Sequence, residues 1–436
     1  MGQAPFVGGL QQAWTQSMHF DARADDNVRA IAKSPVFPAS CSTLLSSSVV
    51  VWSPMASSGA VRLWSATLWL LVVGCGSSGS APGSGGSGSS TGSSGGSGSS
   101  SGSSGASASS GTSETAPSCA AGGPGLSDCG PAKESCCESS LVAAGTFYRT
   151  YEVGDAGVEA TSADGGGAEA DPVTLSAFRL DKYDVTVGRF RQFVKAVLSS
   201  DGGAAWVPPV GSGRHAYLNG GRGLVDVGST DAGTAYEPGW LATDDGNVSP
   251  SGSNLSSCAP FSTWTPSPAA QEHLPINCVN WFEAYAFCIW DGGFLPSEAE
   301  WENAAAGGSQ QREYPWGATD PGTINQYAIY NCGYPNGSTN CADVSNIAPV
   351  GTAPSGAGAW GQLDLAGNMW QWNADFYATY VDPCTDCGYV TSASSRVLRG
   401  GSFREAAASL SPPYRNANDP TLRNDFVGFR CARSPM

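Results

Sequence analysis

Apolar residues recur with helical spacing at Val187, Phe190, Phe193, Val194 and Val197, directly after Thr186, whose hydroxyl can cap a first turn; the pattern predicts an amphipathic helix. A second helix is predicted over Trp281–Trp290, opened by Asn280 with Glu283 three residues on and stopped by Asp291-Gly-Gly293. Ser297-Glu-Ala-Glu300 then has the capping-box spacing of a third, shorter helix. Residues 145–151 and 172–185 are rich in β-branched and aromatic side chains and read as strands. Between 199 and 270 the chain is mostly Gly, Ser, Pro and Trp with weak periodicity, which predicts long ordered loops of the kind that carry ligand contacts. After the third helix the chain returns to turns and short strands. The sum is a mixed α+β domain with little regular secondary structure and much aromatic packing.

The first 118 residues lack such patterning. Within them Arg62 precedes an apolar run that ends in Val-Val-Gly-Cys75. At about a dozen residues the run is too short to span a bilayer and fits an export signal. Its ending resembles a bacterial lipobox, with Val72 where Leu is usual, so Cys75 would become the lipidated first residue of a protein anchored outside the cytoplasm, on a bacterial membrane or cell surface. A buried core strand is the competing reading, disfavoured by the Ser/Gly tract that follows. That tract cannot bury apolar surface; as a random coil it would reach roughly 35 Å. Met55 is a natural start for the signal. The expected organisation is therefore an upstream extension at 1–54, a lipoprotein signal at 55–75, a Ser/Gly-rich linker at 76–118, a small Cys-rich segment at 119–143 and a globular domain at 144–436.

Acidic residues outnumber basic ones by 37 to 21 and no Lys/Arg run occurs, which argues against a nucleic-acid partner held through phosphates. With 58 Gly, 14 Trp and 13% charged residues, the composition suits a loop-rich secreted protein. Fourteen cysteines beside an export signal imply disulfides. If Cys41 is removed and Cys75 lipidated, twelve remain, enough for six bridges whose pairing the sequence leaves open. Four lie between Cys119 and Cys137, in a segment with too little apolar content to hold its shape otherwise. Cys332 and Cys341 flank the turn sequence Tyr-Pro-Asn-Gly, and pairing them would contribute about 3 kcal/mol. Cys384-Thr-Asp-Cys387 has redox or zinc spacing, but neither a second CxxC nor a thioredoxin-like strand and helix accompanies it, which favours a structural bridge.

Several motifs then follow one another: Phe178-Arg-Leu-Asp-Lys-Tyr-Asp-Val-Thr186, Trp281-Phe-Glu-Ala-Tyr-Ala-Phe-Cys288, Leu295-Pro-Ser-Glu-Ala-Glu-Trp-Glu302, Pro315-Trp-Gly317, Gly367-Asn-Met-Trp-Gln-Trp372, Arg399-Gly-Gly-Ser402 and Gly428-Phe-Arg-Cys-Ala-Arg433. This ordered set resembles the formylglycine-generating enzymes, the sulfatase-modifying-factor family. The resemblance implies that family's α+β fold, a C-type lectin-like variant, and a bridge between Cys288 and Cys431. The family's second bridge has no counterpart, since Ala304 or Ala305 stands at its helix position. A calcium site is also implied, with Asp364, the carbonyls of Gly367 and Met369, and Gln371 as ligands. There the family's Glu has become Gln and its frequent Asn has become Asp, an exchange calcium tolerates. The same residues could equally satisfy the backbone of a tight turn. A second family calcium site, near 329–343, does not carry over.

For the family's chemistry, cysteine oxidation with copper held by two thiols, the matching groove positions are Trp370, Ser402 and Arg415. Glu405 stands at the first thiol position, and the Ser409 and Leu410 region covers the second. No cysteine lies between Cys387 and Cys431, and soft copper needs thiolates, so copper-dependent oxidation is not expected. Each groove residue also has a plainer role: Trp370 in the core, Ser402 bonding a turn, Arg415 in a salt bridge. The histidines are His19, His215 and His273, too few in the mature chain for the iron sites of sulfoxide-synthase relatives, and no nucleophile elbow supports a His215 hydrolase dyad. The expectation is an exported lipoprotein that binds a peptide or glycan in the inherited groove. The alternatives are a formylglycine-generating-type oxidoreductase or other enzyme with a divergent active site, and a purely structural surface protein.

Overall fold

The computed structural model describes residues 111–112, 116–151, 169–198, 206–231, 235–391 and 393–435. The export signal, Cys75 and most of the Ser/Gly tract lie outside the described residues. Among the described residues four α-helices, α1 (Val187–Val197), α2 (Gly252–Leu255), α3 (Trp281–Trp290) and α4 (Glu298–Ala306), are set among short strands and 3-10 turns. The three longer helices start at side-chain caps. Thr186 Oγ1 accepts from Arg189 N at 3.1 Å, Asn280 Oδ1 from Glu283 N at 2.8 Å and Ser297 Oγ from Glu300 N at 3.1 Å. On α4 the box is reciprocal, because Glu300 Oε2 accepts from Ser297 N at 2.8 Å. On α3 it is not: the Glu283 carboxylate is drawn away to Ser249 N at 3.1 Å and to Arg423 at 2.6 Å. Helix α4 ends at Gly307, whose φ of +70° is the left-handed conformation that glycine adopts without strain.

The strand-like run at 172–185 divides into two strands of different sheets, Glu169–Leu175 and Phe178–Asp181. The break is at Ser176, whose N and Oγ donate to the two carboxylate oxygens of Asp386 at 2.6 and 2.7 Å. Phe178–Asp181 lies between Glu138–Val142 and Ala432–Arg433, antiparallel to both. The chain's early and late segments thus share one sheet, and the expected boundary at 143/144 falls in the turn that leaves its Glu138–Val142 strand. A second sheet has the order Arg415–Asn418, Arg396–Arg399, Trp370–Phe376, Val427–Gly428, with the last pair parallel. Its strand Trp370–Phe376 is buried along its whole length.

The core lies where α1 and α3 meet the C-terminal chain. Phe190 and Phe193 of α1 pack on Phe287 of α3, both with centroids 5.7 Å apart, and Phe429 closes on Phe287 at 5.4 Å. Each such ring contributes roughly 1.5–3 kcal/mol through burial. Beneath this apolar layer sits a ring of buried charges. Arg189 reaches Asp181 at 2.9 Å and Asp291 at 2.7 Å, and Arg433 reaches the same two carboxylates at 3.2 and 2.7 Å. Arg189 also donates to Ser118 Oγ at 3.0 Å and to Cys136 O at 3.2 Å, which docks the Cys-rich segment. Docking needs glycine on both sides, since a Cβ on Gly188 would lie 2.6 Å from Pro124 O and one on Gly125 would overlap the Glu272 carbonyl.

All twelve cysteines from Cys119 onward are bridged: Cys119–Cys137, Cys129–Cys136, Cys258–Cys278, Cys288–Cys431, Cys332–Cys341 and Cys384–Cys387. The Cys288–Cys431 bridge spans 143 residues and Cys384–Cys387 spans 3. On loop-closure entropy the double variant Cys288→Ala/Cys431→Ala should lose about 5 kcal/mol and Cys384→Ala/Cys387→Ala about 2 kcal/mol. Urea unfolding of the two variants measures this, and equal losses would contradict the ordering.

Candidate functional site

Trp370 begins the central strand of the second sheet and is 1% exposed. Its ring lies 6.0 Å from that of Tyr414, and its indole Nε1 has no hydrogen-bond partner. Ser402 and Glu405 meet each other: Glu405 Oε2 accepts from Ser402 N at 2.9 Å and from Ser402 Oγ. The carboxylate is thereby used to close the turn after Arg399-Gly-Gly. Behind it lies the Cys332–Cys341 loop, with Asn331 N donating to Glu405 O at 2.9 Å and Cys332 N to Phe403 O at 2.6 Å. Arg415 pairs elsewhere. It faces Arg399 in the sheet and places Nε and Nη2 on the two oxygens of Glu298 at 2.6 and 2.7 Å. The four groove positions therefore resolve into two closed pairs, Ser402 with Glu405 and Arg415 with Glu298, beside a buried indole. With every cysteine from Cys119 to Cys431 bridged, no thiolate stands near them among the described residues.

Glu298 belongs to a larger buried cluster. Arg399, fully buried, donates to Glu298 at 2.9 Å, to Glu302 at 2.6 Å and to Tyr380 Oη at 2.7 Å. Burial opposes the charge on Glu298, but Arg415 and Arg399 outweigh it and hold its carboxyl below the usual range. Glu302, one turn further along α4, differs. Burial pushes it up to about 7, Arg399 offsets this only partly, Glu298 adds repulsion, and its Oε1 has no partner. Burial likewise raises Asp375 to about 6, while its oxygens accept from Glu298 N at 2.7 Å and Tyr389 N at 2.8 Å. Beside this cluster, Glu298, Asp375, Tyr380 and Arg415 line a cavity of about 20 Å³, room for roughly one water. Of the two carboxyls titrating near neutrality, Asp375 lines this cavity and Glu302 does not.

His215 anchors the long loop to α4. Its Nδ1 lies 3.0 Å from both oxygens of Glu237 and its Nε2 lies 2.9 Å from Glu300 Oε2; Tyr217 Oη donates to Glu300 Oε1 at 2.9 Å. Burial alone would lower the imidazole, but Glu237 and Glu300 raise it to about 10. It is a charged strut, with neither of the Ser or Asp partners of a hydrolase dyad. These acidic clusters were hidden in sequence because Glu298 to Glu302 read as a capping segment. The available signal was Glu298 and Glu302 at i, i+4 on a helix flanked by aromatics.

At the turn preceding Trp370, Asp364 Oδ2 accepts from Gly351 N at 2.7 Å, and burial raises its carboxyl to about 6. Gln371 Nε2 donates to Asp364 O at 2.7 Å, while its Oε1 accepts from Trp301 Nε1 at 2.6 Å and Arg430 Nε at 2.7 Å. Gly367 O accepts from Met369 N at 2.8 Å. Arg430 also takes the carbonyls of Asp181, Lys182 and Leu363 at 3.0, 3.1 and 2.8 Å and the Asp184 carboxylate at 2.9 Å. A guanidinium thus collects the oxygens at this turn. The Asp364 carboxylate and carbonyl, the Gly367 carbonyl and the Gln371 amide oxygen each accept a hydrogen bond from the protein.

A bridged, loop-rich α+β domain whose groove positions sit on a buried central strand is the class that fold and site define. The chain belongs to the sulfatase-modifying factor family, whose sulfatase-modifying factor enzyme 1-like domain matches residues 127–435. It is 31% identical over 307 residues to the formylglycine-generating enzyme of Thermomonospora curvata, covering 66% of this chain and 91% of that protein. It is 35% identical over 172 residues to hercynine oxygenase of Mycolicibacterium smegmatis, covering 36% of this chain and 37% of that protein. Among solved structures it aligns with PvdO from Pseudomonas aeruginosa at 22% identity and a TM-score of 0.46, over 72% of this chain and 99% of that one. The fold is the family's α+β, C-type lectin-like one.

Replacing His215 by Ala leaves Glu237 and Glu300 buried without their cation, which should cost about 3–5 kcal/mol. A folded-state value of about 10, above the ordinary 6.5, means that the imidazolium stabilises fully below pH 6.5 and progressively less as pH rises through 10. Urea unfolding at pH 6, 8 and 10 should therefore show a gap between wild type and His215→Ala that narrows with pH. A pH-independent gap would mean that the ring is neutral.

Proposed function

We propose that the protein is an exported, lipid-anchored member of the family that does not carry out copper-dependent cysteine oxidation and instead binds a peptide or glycan ligand. The observation that carries this reading is the pairing of the groove positions. Where thiols would be needed, Glu405 closes a turn with Ser402 and Arg415 is committed to Glu298. Support for the anchor comes from sequence alone, from the apolar run ending at Cys75 and the Ser/Gly tract behind it. The ligand is proposed to meet the surface around Tyr414 and Tyr377, 38% and 44% exposed, of which Tyr414 packs on Trp370. A second reading, an oxidoreductase or other enzyme with a divergent active site, draws on the near-neutral carboxyls of Glu302 and Asp375.

Calcium is not required for folding in this proposal, since Arg430 supplies the positive charge at the turn of Asp364 and Gln371.

Two outcomes are expected. Aerobic incubation of the protein with copper and a sulfatase-type cysteine peptide should leave the peptide mass unchanged; stoichiometric formylglycine with turnover would overturn the proposal. Adding calcium to chelator-treated protein should leave the melting temperature where it was, whereas a rise of several degrees would restore the calcium site, because a ligand bound only by the folded state must stabilise it.

A further inference from the structure

Arg396 stands at the far end of the second sheet from Trp370, opposite Phe376 in the ladder, whereas Trp370 pairs with Val427. Trp370 and Phe376 are the two ends of one strand, about 20 Å apart at the usual rise per residue. The Arg396 guanidinium lies between two aromatic faces, 3.7 Å from the centroid of Trp281 and 3.4 Å from that of Phe376. It donates from Nη1 to Ala374 O, and its Nε is buried without a partner. The buried Arg189, Arg399, Arg430 and Arg433 each meet a carboxylate within 3.2 Å. Arg396 is different: no carboxylate among the described residues is paired with it, and burial draws it down to about 9.

The guanidinium lines a cavity of about 40 Å³ together with Glu237, Trp281, Tyr285 and Val390. The nearby acids bond elsewhere and none forms an ion pair with Arg396 among the described residues. Both oxygens of Glu237 lie 3.0 Å from the His215 ring, Asp375 accepts two backbone amides at 2.7 and 2.8 Å, and Asp244 Oδ2 faces Leu241 N at 3.4 Å. Arg396 is thus a half-buried cation stacked between two rings at the wall of a cavity, with its Nε unpartnered and no carboxylate paired with it among the described residues. Chemistry restricts the choice: a planar guanidinium fork matches a planar carboxylate, and the small cavity takes a compact head group.

We propose that this cavity is a carboxylate-binding site in which Arg396 holds the anion while Trp281 and Phe376 fix the plane of its guanidinium. The carboxylate comes either from a free small acid or from an acidic side chain presented by a peptide. The site is independent of the pairing around Ser402 and Arg415, so it stands whether or not the protein is an oxidase.

Saturation-transfer NMR of the full-length chain at constant ionic strength tests it, with sodium acetate, an end-blocked aspartate peptide and its asparagine analogue as probes. Acetate should give a saturable signal, and affinity should fall about tenfold or more in Arg396→Met, the loss expected for a charge-assisted pair. Arg222→Met, which alters an exposed arginine elsewhere, should leave it unchanged. Displacement of acetate by the aspartate peptide, with the asparagine analogue at least tenfold weaker, assigns an acidic peptide; acetate binding without that displacement assigns a free acid. If Arg396→Met does not fold, Arg396→Lys, which keeps the charge but loses the fork, should still weaken acetate. Absence of a saturable signal, equal binding of asparagine and aspartate peptides, or undiminished binding in a folded Arg396 variant would overturn the proposal.

Discussion

Two arginines and two aspartates hold this domain together. Arg189 and Arg433 share Asp181 and Asp291 in a ring whose members come from α1, the C-terminal strand, the central strand of the first sheet and the end of α3. Burying four charges is costly, and such a ring is tolerated only if every donor and acceptor is satisfied. Here the remaining capacity is filled by Ser118 and by the Cys136 carbonyl, so the Cys-rich segment completes the ring. Apolar packing of Phe190, Phe287 and Phe429 supplies the bulk of the stabilisation, but it is permissive about angle. The charges are not, and they set which elements may approach.

The same economy of charge explains the groove. An arginine available to a substrate must be free of the protein's own carboxylates. Arg415 is not, because α4 presents Glu298 to it with two oxygens at bonding distance. The family frame is kept, and within it Ser402 bonds Glu405 while Arg415 bonds Glu298. Membership of the family rests on the domain matched over residues 127–435, and activity has to be argued from the site residues themselves.

Much of the frame was legible in sequence. The caps at Thr186, Asn280 and Ser297 are local signals, since a hydroxyl or amide bonds an amide three residues on, and each helix started where its cap stood. The ordered motifs specified the fold family because they record packing positions. What could not be read was pairing over long range. Ser176 breaks a strand because Asp386, 210 residues away, takes its amide. Gln371 Oε1 accepts from Arg430, 59 residues away in the C-terminal segment, a contact that no local pattern announces. His215, Glu237 and Glu300 are unremarkable one by one and become a strut only when the loop lies on α4. Linear spacing carries the first kind of information and not the second.

The position of the last strand has a consequence for how the chain is made. Ala432–Arg433 completes the first sheet, Arg433 completes the charge ring and Cys431 closes the longest bridge. A polypeptide emerging N-terminus first holds Arg189 and Asp181 without their last partner until residue 433 appears. Contacts of such sequence separation are slow to form, because the loop between them must be closed first. The first sheet, the charge ring and the longest bridge therefore share one requirement, the arrival of residues 431 to 433, and none of the three is whole before it.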